Sequence, residues 1–425
     1  MGKNAIFHRD FILVAIGQII SIFGNQILRY ALPLYLLNRT GSSVLFGTVL
    51  AISFVPMLLL YPIGGIIADR VNKRNIMVIL DFSTALLVFL FYLLVGKIDI
   101  VPLIAIAMIV LYSIQGAYQP AVQASIPVLV ETEHIMQGNS VINLITSLAS
   151  MVGPVIGGVL FSIVGLTPIL YVSIGCFFAS AVMEIFIRIP FEKKEATGNM
   201  FVTGWGDLKE SFSFMFNERP VLWKMSLIYA SINLFLTSLT LIGVPVLITQ
   251  HLGFEPNTAN RLYGYAQGVI AAGAVLGGLL AGALAKKLNS RASPFLLSGC
   301  ALSVLMGGIA LHLLRGSMEI YIVLVIGCGL LVALSTVFQI QIMANLQILT
   351  PGHLTGKVIA CVICACMCTI PVGQFMYGLV FESIGSRAYL PFYASGLIMT
   401  GIAVFTRRIF REIDQLIEKR APGDD

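Results

Sequence analysis

GIIADRVNKR, residues 65–74, returns in altered form as GALAKKLNSR, residues 282–291. Each is a short basic stretch that closes a long apolar run, and the two lie 217 residues apart in a chain of 425. The register pairs Asp69 with Lys286, Val71 with Leu288, Asn72 with Asn289 and Arg74 with Arg291, and Pro154 and Pro371 keep the same separation. Hydropathy supplies six spans between equivalent positions, which keeps both copies in the same orientation. Parallel repeats of this kind imply two similar six-helix bundles facing a shared central pathway.

The composition agrees with a chain dissolved in lipid. Hydrophobic residues make up 58% and charged residues 11%, with a mean hydropathy of +0.93. A soluble domain carries roughly 25% charged residues, so this chain has too few to cover a water-facing surface. A secreted disulfide scaffold, a cytosolic enzyme and a disordered regulator are excluded. Apolar runs long enough to cross a hydrocarbon core, about 20 residues each, occur near 11–37, 43–67, 75–96, 100–125, 136–163 and 167–189, then near 221–249, 261–285, 292–314, 318–345, 355–381 and 387–406. The first run has no small-residue cleavage site and is expected to remain as a membrane helix. The predicted fold is therefore an all-α polytopic membrane protein of twelve transmembrane helices.

Its expected organisation is an N-terminal six-helix bundle over 1–190, a cytoplasmic linker over 191–220, a C-terminal six-helix bundle over 221–410 and a cytoplasmic tail over 411–425. Within the linker, DLKESFSFMF from Asp207 to Phe216 has apolar residues near helical spacing and suggests an amphipathic surface helix. With both termini inside, twenty Lys and Arg fall on the cytoplasmic side and five on the other, while Arg29 lies within the first helix. That asymmetry fits the positive-inside rule. It accounts for the +6 net charge without nucleic acid, because the basic residues sit at helix ends and form no aromatic-interleaved patch.

On these residues the sequence resembles the major facilitator superfamily of secondary transporters. Gly65, Asp69, Arg70, Lys73 and Arg74 match the signature loop between helices two and three, with Asn72 in place of its second glycine; Lys286 replaces the acid in the second copy. The resemblance implies a conformational latch that closes the cytoplasmic side. Gly153, Pro154, Gly157 and Gly158 in GPVIGG look like the helix-five motif of exporters in that superfamily, with Ala149 where a glycine is common. Such a motif implies a bendable seal, although tight helix packing explains small residues equally well. The family's helix-four arginine is missing, since no arginine lies between Arg74 and Arg188.

Polar residues inside the spans are the remaining signals, because an ionisable group in hydrocarbon needs a partner, water or a cavity. Asn25 and Arg29 are four apart in helix one and share a face. Asp81 stands in VILDFSTALL of helix three, where pairing with Arg29, reaching toward the cytoplasm and serving in a proton relay are all open. Tyr112, Gln115, Tyr118 and Asn143 are further coupling or cavity candidates. Glu184 and Arg188, also four apart, read as an ordinary helix-end pair.

Cys361, Cys364, Cys366 and Cys368 lie in an apolar run without His, Asp or Glu and read as packing residues, so no metal site is expected. Neither HExxH nor GxSxG is present, and no GxxxxGK[ST] loop supports ATP hydrolysis. No catalytic residues and no cofactor are therefore expected, and the chain is read as no enzyme. The resemblance, closest in general appearance to bacterial drug and macrolide exporters, implies efflux of small amphipathic organic substrates with protons as the coupling ion. The alternatives are a lysophospholipid, siderophore or nutrient transporter, or a membrane sensor. Expected partners are substrate, protons and membrane lipids, with a monomer as the working unit in a bacterial inner or plasma membrane.

Overall fold

The computed structural model describes residues 9–131, 134–189, 213–284, 290–385 and 387–418. In lipid every backbone N–H and C=O must be satisfied within the segment itself, which the α-helix achieves. Twelve long helices follow one another: α1 Arg9–Thr40, α2 Ser43–Arg70, α3 Lys73–Leu94, α4 Ile100–Leu129, α5 Ile135–Val164 and α6 Leu166–Ile185, then α7 Pro220–His251, α8 Pro256–Leu284, α9 Ser293–Leu313, α10 Ser317–Leu349, α11 Gly352–Ile384 and α12 Leu390–Glu418. Among the described residues, eleven are long and apolar enough to cross a membrane. In α12 the apolar stretch gives way to Arg407, Arg408 and Arg411, so the helix continues past its apolar part.

Turn chemistry sets several boundaries. Ser42 caps α2 by accepting from the Leu45 N–H at 3.2 Å. Gly165, at φ +73°, is the sole residue between α5 and α6, a backbone state that a side chain would resist. The helix α7 contains two π-helical turns, Asn233–Thr237 and Leu247–His251. Of the expected linker, residues up to 212 lie outside the described residues; Phe214–Glu218 forms a separate π-helical turn. The tail is helical through Glu418, and the remainder lies outside the described residues.

The chain divides into two compact units, one comprising residues 1–196 with 248–250 and 254–268, the other comprising 197–247, 251–253 and 269–425. In the first unit a buried cluster joins Phe11 and Val14 of α1, Ala68 of α2, Met77 of α3, Ile126 of α4 and Ile142 of α5. Residues from the starts of α1, α3 and α5 thus meet residues from the ends of α2 and α4, as an up-and-down bundle requires. Large apolar side chains such as Ile163, Phe295 and Phe405 are more than 70% exposed, which suits a surface dissolved in hydrocarbon.

The seam between α1 and α6 is built on seven-residue steps. Ser173 and Ser180 of α6 donate to the carbonyls of Gly24 and Gly17 of α1, at 3.4 and 3.1 Å. A Cβ on Gly24 would stand 2.9 Å from the Cys176 Cβ, whereas Gly17 leaves space beside Ser180 and Glu184. Small residues thus bring the two backbones together, and they set the depth at which α6 places its polar side chains.

Candidate functional site

In the first unit α1, α3, α4 and α6 enclose a polar cluster built on two carboxyl groups. Asp81 of α3 is 2% exposed, and its Oδ1 accepts from the Ser21 hydroxyl of α1 at 3.0 Å. Glu184 of α6 is fully buried, and its Oε1 accepts from the Tyr118 hydroxyl of α4 at 2.7 Å. The Tyr118 oxygen in turn accepts from Gln18 Nε2 of α1 at 2.6 Å. One oxygen of each acid, Asp81 Oδ2 and Glu184 Oε2, has no hydrogen-bond partner among the described residues, nor has Gln18 Oε1. Buried polar atoms ordinarily find partners, so this concentration of unpaired acceptors marks the cluster.

Asp81 and Tyr118 border a cavity of about 50 Å3, together with Ser21, Asn25, Gln115 and Thr146. A space of that size with a polar lining accommodates water, though not an organic molecule of drug size. It is a water-sized space within the bundle. The lining comes from α1, α3, α4, α5 and α6.

Of the residues expected from the sequence, Asn25, Asp81, Gln115 and Tyr118 gather at this cavity. Arg29 joins its edge: Nη1 donates to Gln115 Oε1 at 2.6 Å, and the guanidinium lies 4.1 Å from the centre of the Tyr112 ring. The cation is therefore held by an amide and an aromatic face, and among the described residues neither Arg29 nor Asp81 takes part in an ion pair with the other. Asn143 does not reach the cavity; it is exposed, and α5 contributes Thr146 instead.

The pairing expected of Glu184 with Arg188 is corrected. The helix α6 ends at Ile185, so Arg188 lies beyond the helical turn that a four-residue spacing presumes. Its backbone N–H donates to Asp10, while Glu184 turns inward to Tyr118. Sequence reasoning thus missed Glu184, and with it Gln18 and Ser21. A signal for Gln18 existed in an uncharged polar residue within the apolar run of α1.

At the expected latch, Asn72 caps α3 by accepting from the Arg74 N–H at 3.0 Å, which gives the departure from glycine a local use. Gly65 has open space around its Cβ position, Arg70 is exposed and Lys73 is partly buried. The Arg74 Nε is buried without a hydrogen-bond partner among the described residues. The Asp69 side chain and Lys286 lie outside the described residues. In GPVIGG, Gly153 packs on Gln26 and Gly157 on Ile27 and Tyr30 of α1, while Gly158 meets Gly264 in the part of α8 that belongs to the same unit. Pro154 lies within the continuous helix α5.

Comparison with known proteins follows the same outline. The family model described as Major Facilitator Superfamily matches residues 14–368. An uncharacterised MFS-type transporter, YfiS of Bacillus subtilis, is 27% identical over 61% of this chain and 60% of its own length. Macrolide efflux protein A of Streptococcus pyogenes is 28% identical over 45% of this chain and 47% of its own. The enterobactin exporter EntS of Escherichia coli is 27% identical over 36% of this chain and 38% of its own. The matched stretches thus span less than two thirds of these relatives. Among solved structures, a bacterial homologue of the iron transporter ferroportin shares the fold at TM-score 0.71 and 15% identity, covering 96% of this chain and 98% of that one. A bacterial homologue of the lysosomal transporter Spinster does so at 0.70 and 13%, covering 99% and 100%.

Proposed function

Because the chain belongs to the Major Facilitator Superfamily, we propose that it is a secondary-active exporter of small amphipathic organic compounds, working by alternating access and driven by proton antiport. The observation that carries the coupling mode is Asp81, a carboxyl group almost wholly buried among membrane-spanning helices, facing a water-sized polar cavity and left with one unpaired oxygen. A group so placed has a use when it binds and releases a proton, whereas anchoring needs a headgroup within reach. Similarity to efflux proteins supports the outward direction, and the distribution of basic residues supports both termini being cytoplasmic.

The substrate class rests on the same relatives. Macrolides are the first probe, and siderophore export is the second reading because of the similarity to enterobactin exporters. The test is Asp81→Asn in proteoliposomes loaded with a radiolabelled macrolide or enterobactin. Expected is retained binding and retained exchange at equal pH, with accumulation driven by a pH gradient falling about tenfold. Unchanged proton movement per substrate in the variant would remove Asp81 from the coupling role. Failure of the unsubstituted protein to move either probe would remove the substrate assignment.

A further inference from the structure

Glu184 is the carboxyl group this reading leaves without a task. It is as deeply buried as Asp81, it projects into the same bundle from the facing helix, and it too has an unpaired oxygen. The Tyr118 hydroxyl donates to Glu184, and Tyr118 is among the residues lining the cavity that Asp81 borders. Tyr118 thus accepts from Gln18, donates to Glu184 and shares the cavity lining with Asp81.

The repeat sharpens the observation. The positions 217 residues on from Asp81 and Glu184 hold Ser298 and Gly401, so the second bundle has neither acid. The two carboxyl groups occur together in one half and are replaced together in the other.

We infer that Glu184 is a second proton-binding carboxyl group of the Asp81 site, linked to it by Tyr118, and that the two acids hold one proton between them. The inference rests on the proton-coupled reading above. In the transfer step, Asp81 gives its proton to the Tyr118 oxygen through water in the cavity that both residues line, as the Tyr118 O–H proton passes to Glu184 Oε1. Asp81 ends ionised, Tyr118 ends as it began and Glu184 ends neutral, so one proton has moved and none is created. The charged and titratable groups around the site are few. The helix α1 offers only Arg29, already engaged by Gln115 and Tyr112; α4 offers Tyr112 and Tyr118; α5 contributes Thr146 to the lining and no charge; α6 offers Glu184 and Cys176. Burial makes two full negative charges here costly, and a shared proton relieves that cost.

The test uses the full chain in lipid nanodiscs without substrate. Infrared difference spectra follow the carbonyl stretch of protonated carboxyl groups across pH 5–9 in the unsubstituted protein, Asp81→Asn, Glu184→Gln, Tyr118→Phe and the Asp81→Asn/Glu184→Gln double variant. Expected is a titrating band that the double variant loses. Each single acid variant should shift the midpoint of the surviving band by about one pH unit or more, the signature of interacting sites, and Tyr118→Phe should shift both. Midpoints that ignore the other acid, or the loss of every titrating band in Asp81→Asn alone, would overturn the inference. A parallel measurement in proteoliposomes, with a macrolide as probe, should find Glu184→Gln defective in gradient-driven accumulation and competent in exchange at equal pH. Coupled infrared midpoints without macrolide transport by the unsubstituted protein would reject the substrate reading and leave the acid pair standing.

Discussion

Arg291 Nε lies 2.6 Å from the Asp414 carboxylate, joining the loop before α9 to the end of α12. The second copy of the loop motif has Lys286 where the first has Asp69, and the acid that meets its final arginine comes from 123 residues further along the chain. Phe410, one turn before Asp414, is buried against the Phe338 ring of α10 with centroids 6.0 Å apart. Charge and an aromatic contact thus dock the helical extension of α12 on its own bundle.

That docking should depend on the ion pair to a modest degree. Arg291 is 63% exposed and Asp414 only 10%, so solvent screens one partner and the expected worth is about 1 kcal/mol. Asp414→Asn should speed proteolytic cleavage after Arg411 several-fold in detergent. The exchange Arg291→Asp with Asp414→Arg should restore much of the protection, and a double variant no better than either single one would deny the pairing its role.

Arg29 should matter through shape as well as charge. Its guanidinium reaches a flat ring and an amide oxygen together, a geometry an ammonium group does not reproduce. Arg29→Ala and Arg29→Lys should each lower macrolide uptake into inverted vesicles by about tenfold, given roughly 1.5–3 kcal/mol for a hydrogen bond to a charged group. Uptake unchanged in Arg29→Lys would show that the charge alone suffices.

Asp69→Asn should alter the balance of transport states more than it alters folding. The change keeps side-chain volume and weakens charge-assisted hydrogen bonds. Spin labels placed one on each compact unit should report a smaller population of the outward-open distance than in the unsubstituted protein. Identical distance distributions with and without substrate would reject the latch.

The seam between α1 and α6 should resist even a methyl group. In Gly24→Ala the new Cβ meets the Cys176 Cβ at 2.9 Å, and overpacking of this kind costs about 1–3 kcal/mol. A lower melting temperature in detergent is expected, with Cys176→Gly recovering part of it. No recovery would mean that the strain is relieved elsewhere in α6.

The helices were legible because an apolar run of about 20 residues has one common meaning in lipid, and the repeat suggested their grouping through positions such as Pro154 and Pro371. Asp81 was legible for a related reason, as an acid within VILDFSTALL has no apolar explanation. Glu184 was misread because the four-residue spacing to Arg188 presumes a helix that reaches both, and α6 stops at Ile185. Asn143 shows the opposite error, a polar residue in a span that points away from the cavity. The partner of Arg291 lay out of reach of any local pattern, since only the folded chain brings Asp414 back to it.

The first π-helical turn of α7 bears on how the chain tolerates changes in its own length. Asn233 donates to the Cys366 carbonyl of α11 at 3.1 Å, and Ser238, five residues later, donates to the Ile370 carbonyl four residues later at 3.2 Å. Five residues of one helix are thus matched to four of its neighbour, so α7 holds one residue more than the distance requires. Deleting one residue between Asn233 and Ser238 would convert the wide turn into an ordinary one and leave both flanking faces aimed as before. A deletion in a regular stretch such as the middle of α10 would instead rotate everything beyond it by about 100°. Among the spans, α7 is therefore the place where natural or engineered shortening by a single residue should be absorbed.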